Sequence, residues 1–161
     1  MQHIGTITVK GLSGDVFRNF LEGRCSEAFF EDSFHAFCDG ISDTDLAQES
    51  EGIGLESISG ACWHLPGLTS DQDIVRKLPR LFSLRQGLAF VAGIAAGLVG
   101  DDGSLLHIKD QVHIVHLENE KILRFTYRRF RRKWAIDVCK SGDFWAEGVK
   151  VLSPAFDAVA R

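Results

Sequence analysis

The chain has 161 residues, the usual size of one domain and long enough to bury a core unaided. With 45% hydrophobic and 25% charged residues it is no disordered tail, and a formal net charge of −4 sets it apart from the usual basic nucleic-acid binder. Four cysteines (Cys25, Cys38, Cys62, Cys139) lie thirteen or more residues apart and form no C-x-x-C pair. They read as free thiols in a reducing compartment.

In chain order, Ile4 to Val9 (IGTITV) alternates and is β-branched, which predicts a strand and not the apolar core of a signal peptide. GLSGD breaks the pattern, with Ser13 or Asp15 available as a helix N-cap. Between Val16 and Cys38, apolar residues at spacings of three and four (Phe17, Phe20, Leu21, Ala28, Phe29, Phe34, Phe37) predict one or two helices, broken near Gly23 and stopped at Asp39-Gly40. The acidic stretch from Ser42 to Gly54 reads as a loop with one helical turn, and Leu55 to Trp63 as a bulged strand ended by Pro66-Gly67. Ser70-Asp71 opens a helix that Pro79 splits. The second part, about Ser83 to Leu98, is apolar all round and hence central, and Gly93 and Gly97 on one face allow another backbone to come close. Its apolar run Leu88 to Val99 is shorter than the roughly 20 residues a bilayer requires. A soluble, cytoplasmic protein without membrane contact is expected.

Beyond the GDDG turn (Gly100 to Gly103) the periodicity falls to two, with Glu118 to Lys121 separating two runs as a hairpin turn would. The expected fold is therefore one α+β domain over residues 1–161: an N-terminal strand and a mostly helical first half, packed on a C-terminal antiparallel sheet of three to four strands ending near Val151. Over about half the chain this element order, with its late K-W-A-I-D strand, resembles the cone-shaped nuclear-transport-factor-2-like architecture, although the strand Ile4 to Val9 stands outside that pattern.

The strongest functional lead is Lys121 to Lys133 (KILRFTYRRFRRK). Seven of its thirteen residues are cationic, three are aromatic and none is acidic, on a chain that is acidic overall. Arginine outnumbers lysine five to two, and its planar fork suits carboxylate or phosphate. A turn is expected around Phe130 to Arg132. The opposite pole lies upstream, where eleven acidic residues between Asp15 and Glu56 face only Arg18 and Arg24. The segment can be a solvated strand edge, a docking surface for an acidic protein or a second copy, or a nucleic-acid strip with aromatics for base stacking.

Other constellations are weaker. His107, His113 and His116 diverge on a strand, with His113 and His116 on opposite faces, and read as half-exposed strand histidines. Asp32, His35 and Cys38 share a helix face but lack further metal ligands. Cys62 and His64 share a strand face without the geometry of a nucleophile and its base. Asp101-Asp102 reads as a turn and not an active site. No nucleotide, hydrolase or zinc-protease motif occurs.

The leading expectation is a small protein-binding molecule of the adaptor or toxin-neutralising kind, without cofactor or metal and inclined to self-association. Arg124, Arg128, Arg129, Arg131 and Arg132 are its contacts, with Tyr127 and Phe130 as anchors. The alternatives are a cone-type enzyme or small-ligand carrier, and nucleic-acid or phosphate binding through the strip.

Overall fold

The computed structural model describes residues 1–41, 57–100, 106, 111–140, 142 and 144–155. The Ser42 to Gly54 loop, His107 and Asp101-Asp102 lie outside them. The strand at the N-terminus, β1 (Gln2–Val9), is followed by α1 (Gly14–Leu21), β2 (Ala28–Phe30), α2 (Asp32–Asp39), β3 (Ile58–His64), β4 (Thr69–Ser70), α3 (Asp71–Lys77) and α4 (Leu84–Ala95). The remainder is strand: β5 (Val112–His116), β6 (Lys121–Arg128), β7 (Lys133–Lys140), β8 (Phe144–Trp145) and β9 (Lys150–Pro154).

Seven strands form one sheet in the order β1-β3-β9-β5-β6-β7-β2, and β4 and β8 form a separate ribbon. This overturns the expected three-to-four-stranded antiparallel sheet under a helical first half. Three of the seven strands come from that half, and two pairings, β2 with β7 and β5 with β9, are parallel. The last strand inserts between β3 and β5, so the sheet is complete only when the two halves interleave. A curved antiparallel cone is thereby excluded.

Both faces of the sheet are covered at its centre, around β5 and β9. On one face Ile7, Val9, Cys62, Leu152, Val115, Leu123, Phe125 and Ile136 meet the apolar sides of α1, α2 and α4. Phe20, Phe30 and Phe34 pack there with centroids 4.9–5.3 Å apart. On the other, Ile114, Ile122 and Val151 meet Ile74, Leu78 and Trp145 from α3 and the ribbon. Alternation along β6 divides the two cores, with Ile122 on one side and Leu123 on the other.

Local chemistry accounts for the helix ends. The hydroxyls of Ser13, Ser70 and Ser83 accept from the backbone N–H of Val16, Asp73 and Gln86, each at 3.2 Å. In α4 every residue from Gly87 to Ala95 is buried. Gly93 allows β1 to approach, since a Cβ there would lie 2.0 Å from Val9 Cγ1. Gly97, just past the helix, has φ +76 and ends it in the left-handed conformation.

Candidate functional site

Strands β6 and β7 are consecutive and pair from Lys121↔Lys140 to Arg128↔Lys133, which leaves Arg129, Phe130, Arg131 and Arg132 as the loop. The cationic segment is thus split between sheet and tip. Arg124 stands opposite Asp137 across the ladder, and its Nε donates to both carboxylate oxygens at 2.9 and 3.1 Å while Nη2 donates to Oδ2. Tyr127 packs edge-on to Trp134, centroids 5.2 Å apart, against the main core. Both residues therefore serve the sheet.

The tip is different. Arg128, Arg129, Phe130, Arg131, Arg132 and Lys133 are all exposed. Among the described residues, no carboxylate forms an ion pair with Arg128, Arg131 or Arg132. Phe130 is 102% exposed, and Phe29 of the neighbouring edge strand is 48% exposed. The Arg131 guanidinium carbon lies 5.9 Å above the Phe29 ring, a cation–π distance. Phe29, Arg128, Arg129, Phe130, Arg131 and Lys133, with Glu31 and Ala135, line a cleft of about 400 Å³. Arg132 has φ +52, a left-handed backbone that glycine or asparagine adopts at less cost. The contacts bet on from sequence are thus brought together in part: Arg128 to Arg132 form one surface, and Arg124 and Tyr127 stand behind it.

A second polar constellation was missed. Asp71, the first residue of α3, is 1% exposed, and His116, at the end of β5, is 3% exposed. Asp71 Oδ1 accepts from His116 Nε2 at 2.8 Å and from the Trp145 indole at 2.5 Å, and Oδ2 accepts from the Gly142 N–H at 3.0 Å. The carboxylate accepts the Nε2 proton, so Nδ1 presents a lone pair; no described group hydrogen-bonds to it. Burial pushes the His116 pKa down, and its bond to Asp71 and the Asp71 charge only partly oppose this. A cavity of about 590 Å³ abuts the pair.

The smaller constellations resolve as follows. His113 and His116 do lie on opposite faces, but both are buried, at 0% and 3%, which corrects the half-exposed reading. His113 stacks on Phe125 at 5.2 Å. Cys62 is fully buried, and burial pushes its thiol up to about 11 against a smaller opposing pull from Lys150. His64 Nδ1 instead accepts from the buried Lys150 Nζ at 3.1 Å. In α2, Asp32 and His35 are exposed while Cys38 turns into the core, its thiol raised to about 12 by burial and the Asp39 charge. Among the described residues no three His, Cys, Asp or Glu side chains gather closely enough to hold a metal ion. No described helix is long and apolar enough to cross a membrane. No protein-family model, curated protein or solved structure matches the chain.

Proposed function

We propose that the chain is a protein-binding molecule whose β6–β7 hairpin tip docks an acidic surface, on another protein or on a second copy of itself. One observation carries this reading. A fully exposed Phe130 stands amid Arg128, Arg131 and Arg132, none of which has an ion-pair partner among the described residues. Exposed aromatic and arginine side chains in one patch are the residue types that dominate binding energy at protein interfaces. The neighbouring cleft between Phe29 and Phe130 offers a place for an apolar side chain of the partner.

Charge supports the choice of occupant. Exposed Asp15, Glu22, Glu27, Glu31, Asp32 and Asp39 on α1, α2 and around β2 make this chain's own surface one example of an acidic partner. The same acidity disfavours nucleic acid, whose backbone meets a net negative molecule away from the tip.

The test compares the wild type with R128E/R131E/R132E, three exposed positions whose reversal leaves the sheet intact. An acidic, aromatic-containing peptide and a single-stranded oligonucleotide are each titrated across a salt series, and self-association is measured by analytical ultracentrifugation. The reading requires that peptide binding or self-association be lost in the variant. Unchanged association, or a preference for the oligonucleotide with a steep salt dependence, refutes it.

A further inference from the structure

Among the described residues, five large hydrophobic side chains are exposed, and they fall in two places. Phe29 and Phe130 flank the basic tip. The other three, Leu68, Val75 and Phe144, belong to the β4–α3–β8 region, where Leu68 immediately precedes β4. Val75, 38% exposed, and Phe144, 66% exposed, both line the cavity of about 590 Å³ that adjoins Asp71 and His116. That volume lies within the range of small-molecule sites, roughly 300–1,000 Å³.

We propose that this cavity is a binding site for a small organic cation with an apolar ring or chain, a molecule of the arylalkylammonium class. Its apolar body would rest on Val75 and Phe144, which water otherwise covers. The polar lining determines the charge. Asp71, Glu118 and Glu120 place three carboxylates around the space, against one cation, Lys121. Glu118 and Glu120 are exposed and form no ion pair among the described residues.

The buried pair sharpens the choice. His116 donates its Nε2–H to Asp71, and burial lowers its pKa from the ordinary 6.5, which disfavours a positive charge there at neutral pH. Its remaining nitrogen is enclosed and has no hydrogen-bond partner among the described residues. A lining with three carboxylates against one lysine favours an ammonium over a carboxylate of the same shape. Charges of one sign around a binding site discriminate ligands by sign more than they add affinity.

The site is independent of the hairpin tip, so the two assignments stand or fall apart. The natural reporter is the proton–nitrogen resonance of the Trp145 indole, whose N–H donates to Asp71. Full-length protein is titrated with three probes of one shape: 2-phenylethylammonium, 2-phenylethanol and phenylacetate. The expected result is a saturable shift of the Trp145 indole resonance by the cation in the micromolar to millimolar range, at least tenfold tighter than by phenylacetate. E118Q/E120Q, at two exposed positions, should weaken the cation about tenfold, equivalent to about 1.4 kcal/mol, and leave the alcohol unchanged. V75W, which fills the space from the exposed side of α3, should abolish the shift. Equal binding of all three probes, no saturable shift of Trp145, or full binding to V75W with its fold verified by the remaining spectrum, each overturns the proposal.

Discussion

The Asp71 cluster permits the sharpest quantitative test. In Asp71→Asn the side chain keeps its volume, but one carboxylate oxygen becomes an NH2 group. The amide oxygen can still face His116 and Trp145, while the new donor then confronts the Gly142 N–H. One buried donor left unmatched costs about 1–3 kcal/mol. The two surviving bonds lose the assistance of charge, roughly 1 kcal/mol each. Removal of a buried charge offsets part of this. The expected loss is about 3 kcal/mol, read as a fall in the urea midpoint with unchanged m-value when unfolding is followed by circular dichroism and tryptophan fluorescence. Trp145→Phe removes one donor, so the cycle of single and double variants should show coupling of about 1 kcal/mol or more. The pH dependence carries a definite sign. Burial holds the folded-state pKa of His116 below its ordinary 6.5. The unfolded chain therefore binds the proton first, and the stability present above pH 6.5 is lost as pH falls towards the folded value. Asp71→Asn removes the charge and weakens the hydrogen bond that raise this pKa and should deepen the acid loss, whereas His116→Gln should flatten it. A variant within about 0.5 kcal/mol of wild type, with no coupling to Trp145, would refute the assignment of Asp71 as the acceptor that ties α3, β5 and β8 together.

Three further outcomes are expected. Gly93→Ala places a methyl 2.0 Å from Val9 Cγ1 and should destabilise by about 3 kcal/mol, with Val9→Ala recovering part of the loss in the double variant; simple additivity in urea unfolding would contradict the close approach of β1 to α4. Alkylation of the native protein at mildly alkaline pH should label half-exposed Cys25 and Cys139 first, and Cys62 and Cys38 only on unfolding, because burial raises those thiols to about 11 and about 12; mass spectrometry showing early Cys62 modification would reverse this. Glycine at Glu120 (φ +67) or Arg132 (φ +52) should relieve left-handed strain and raise stability by up to about 1 kcal/mol at either position, yet only Arg132→Gly should weaken binding of an acidic peptide.

The sequence was informative where one local signal decided the matter. The alternation of Ile4 to Val9, the serine caps before α1, α3 and α4, and the turn within Arg129 to Arg132 all depend on neighbours in the chain. It misled where tertiary pairing decided. Ala28–Phe30 lies in a run whose phenylalanine spacing suits a helix, but its N- and C-terminal flanks bond across to Trp134 and Ile136 as a parallel edge strand. Lys150–Pro154 shows no sign of its central position, since parallel pairing with β5 depends on residues far away. The buried cluster was illegible for a related reason. Asp71 follows the cap Ser70 and reads as ordinary first-turn acidity, and strand parity separates His113 from His116 without revealing that both faces of β5 are covered.

That double coverage also bears on where function can reside. With both faces packed around β5 and β9, an accessible site there is confined to strand ends and cover elements, whereas Thr6, Ser59, Ala61 and Trp63 of β1 and β3 line an open cleft of about 840 Å³. At two of these positions the chain departs from what stability alone would favour. A left-handed arginine beside a fully exposed phenylalanine at the β6–β7 tip gains nothing from the fold. Val75 and Phe144, set against three carboxylates beside a neutral buried histidine, are equally unaccounted for by packing. Polar replacements at these exposed positions would cost the folded state little and reduce its apolar surface. The tip and the cavity are where the two proposals place binding, of a macromolecule at the first and of a small cation at the second.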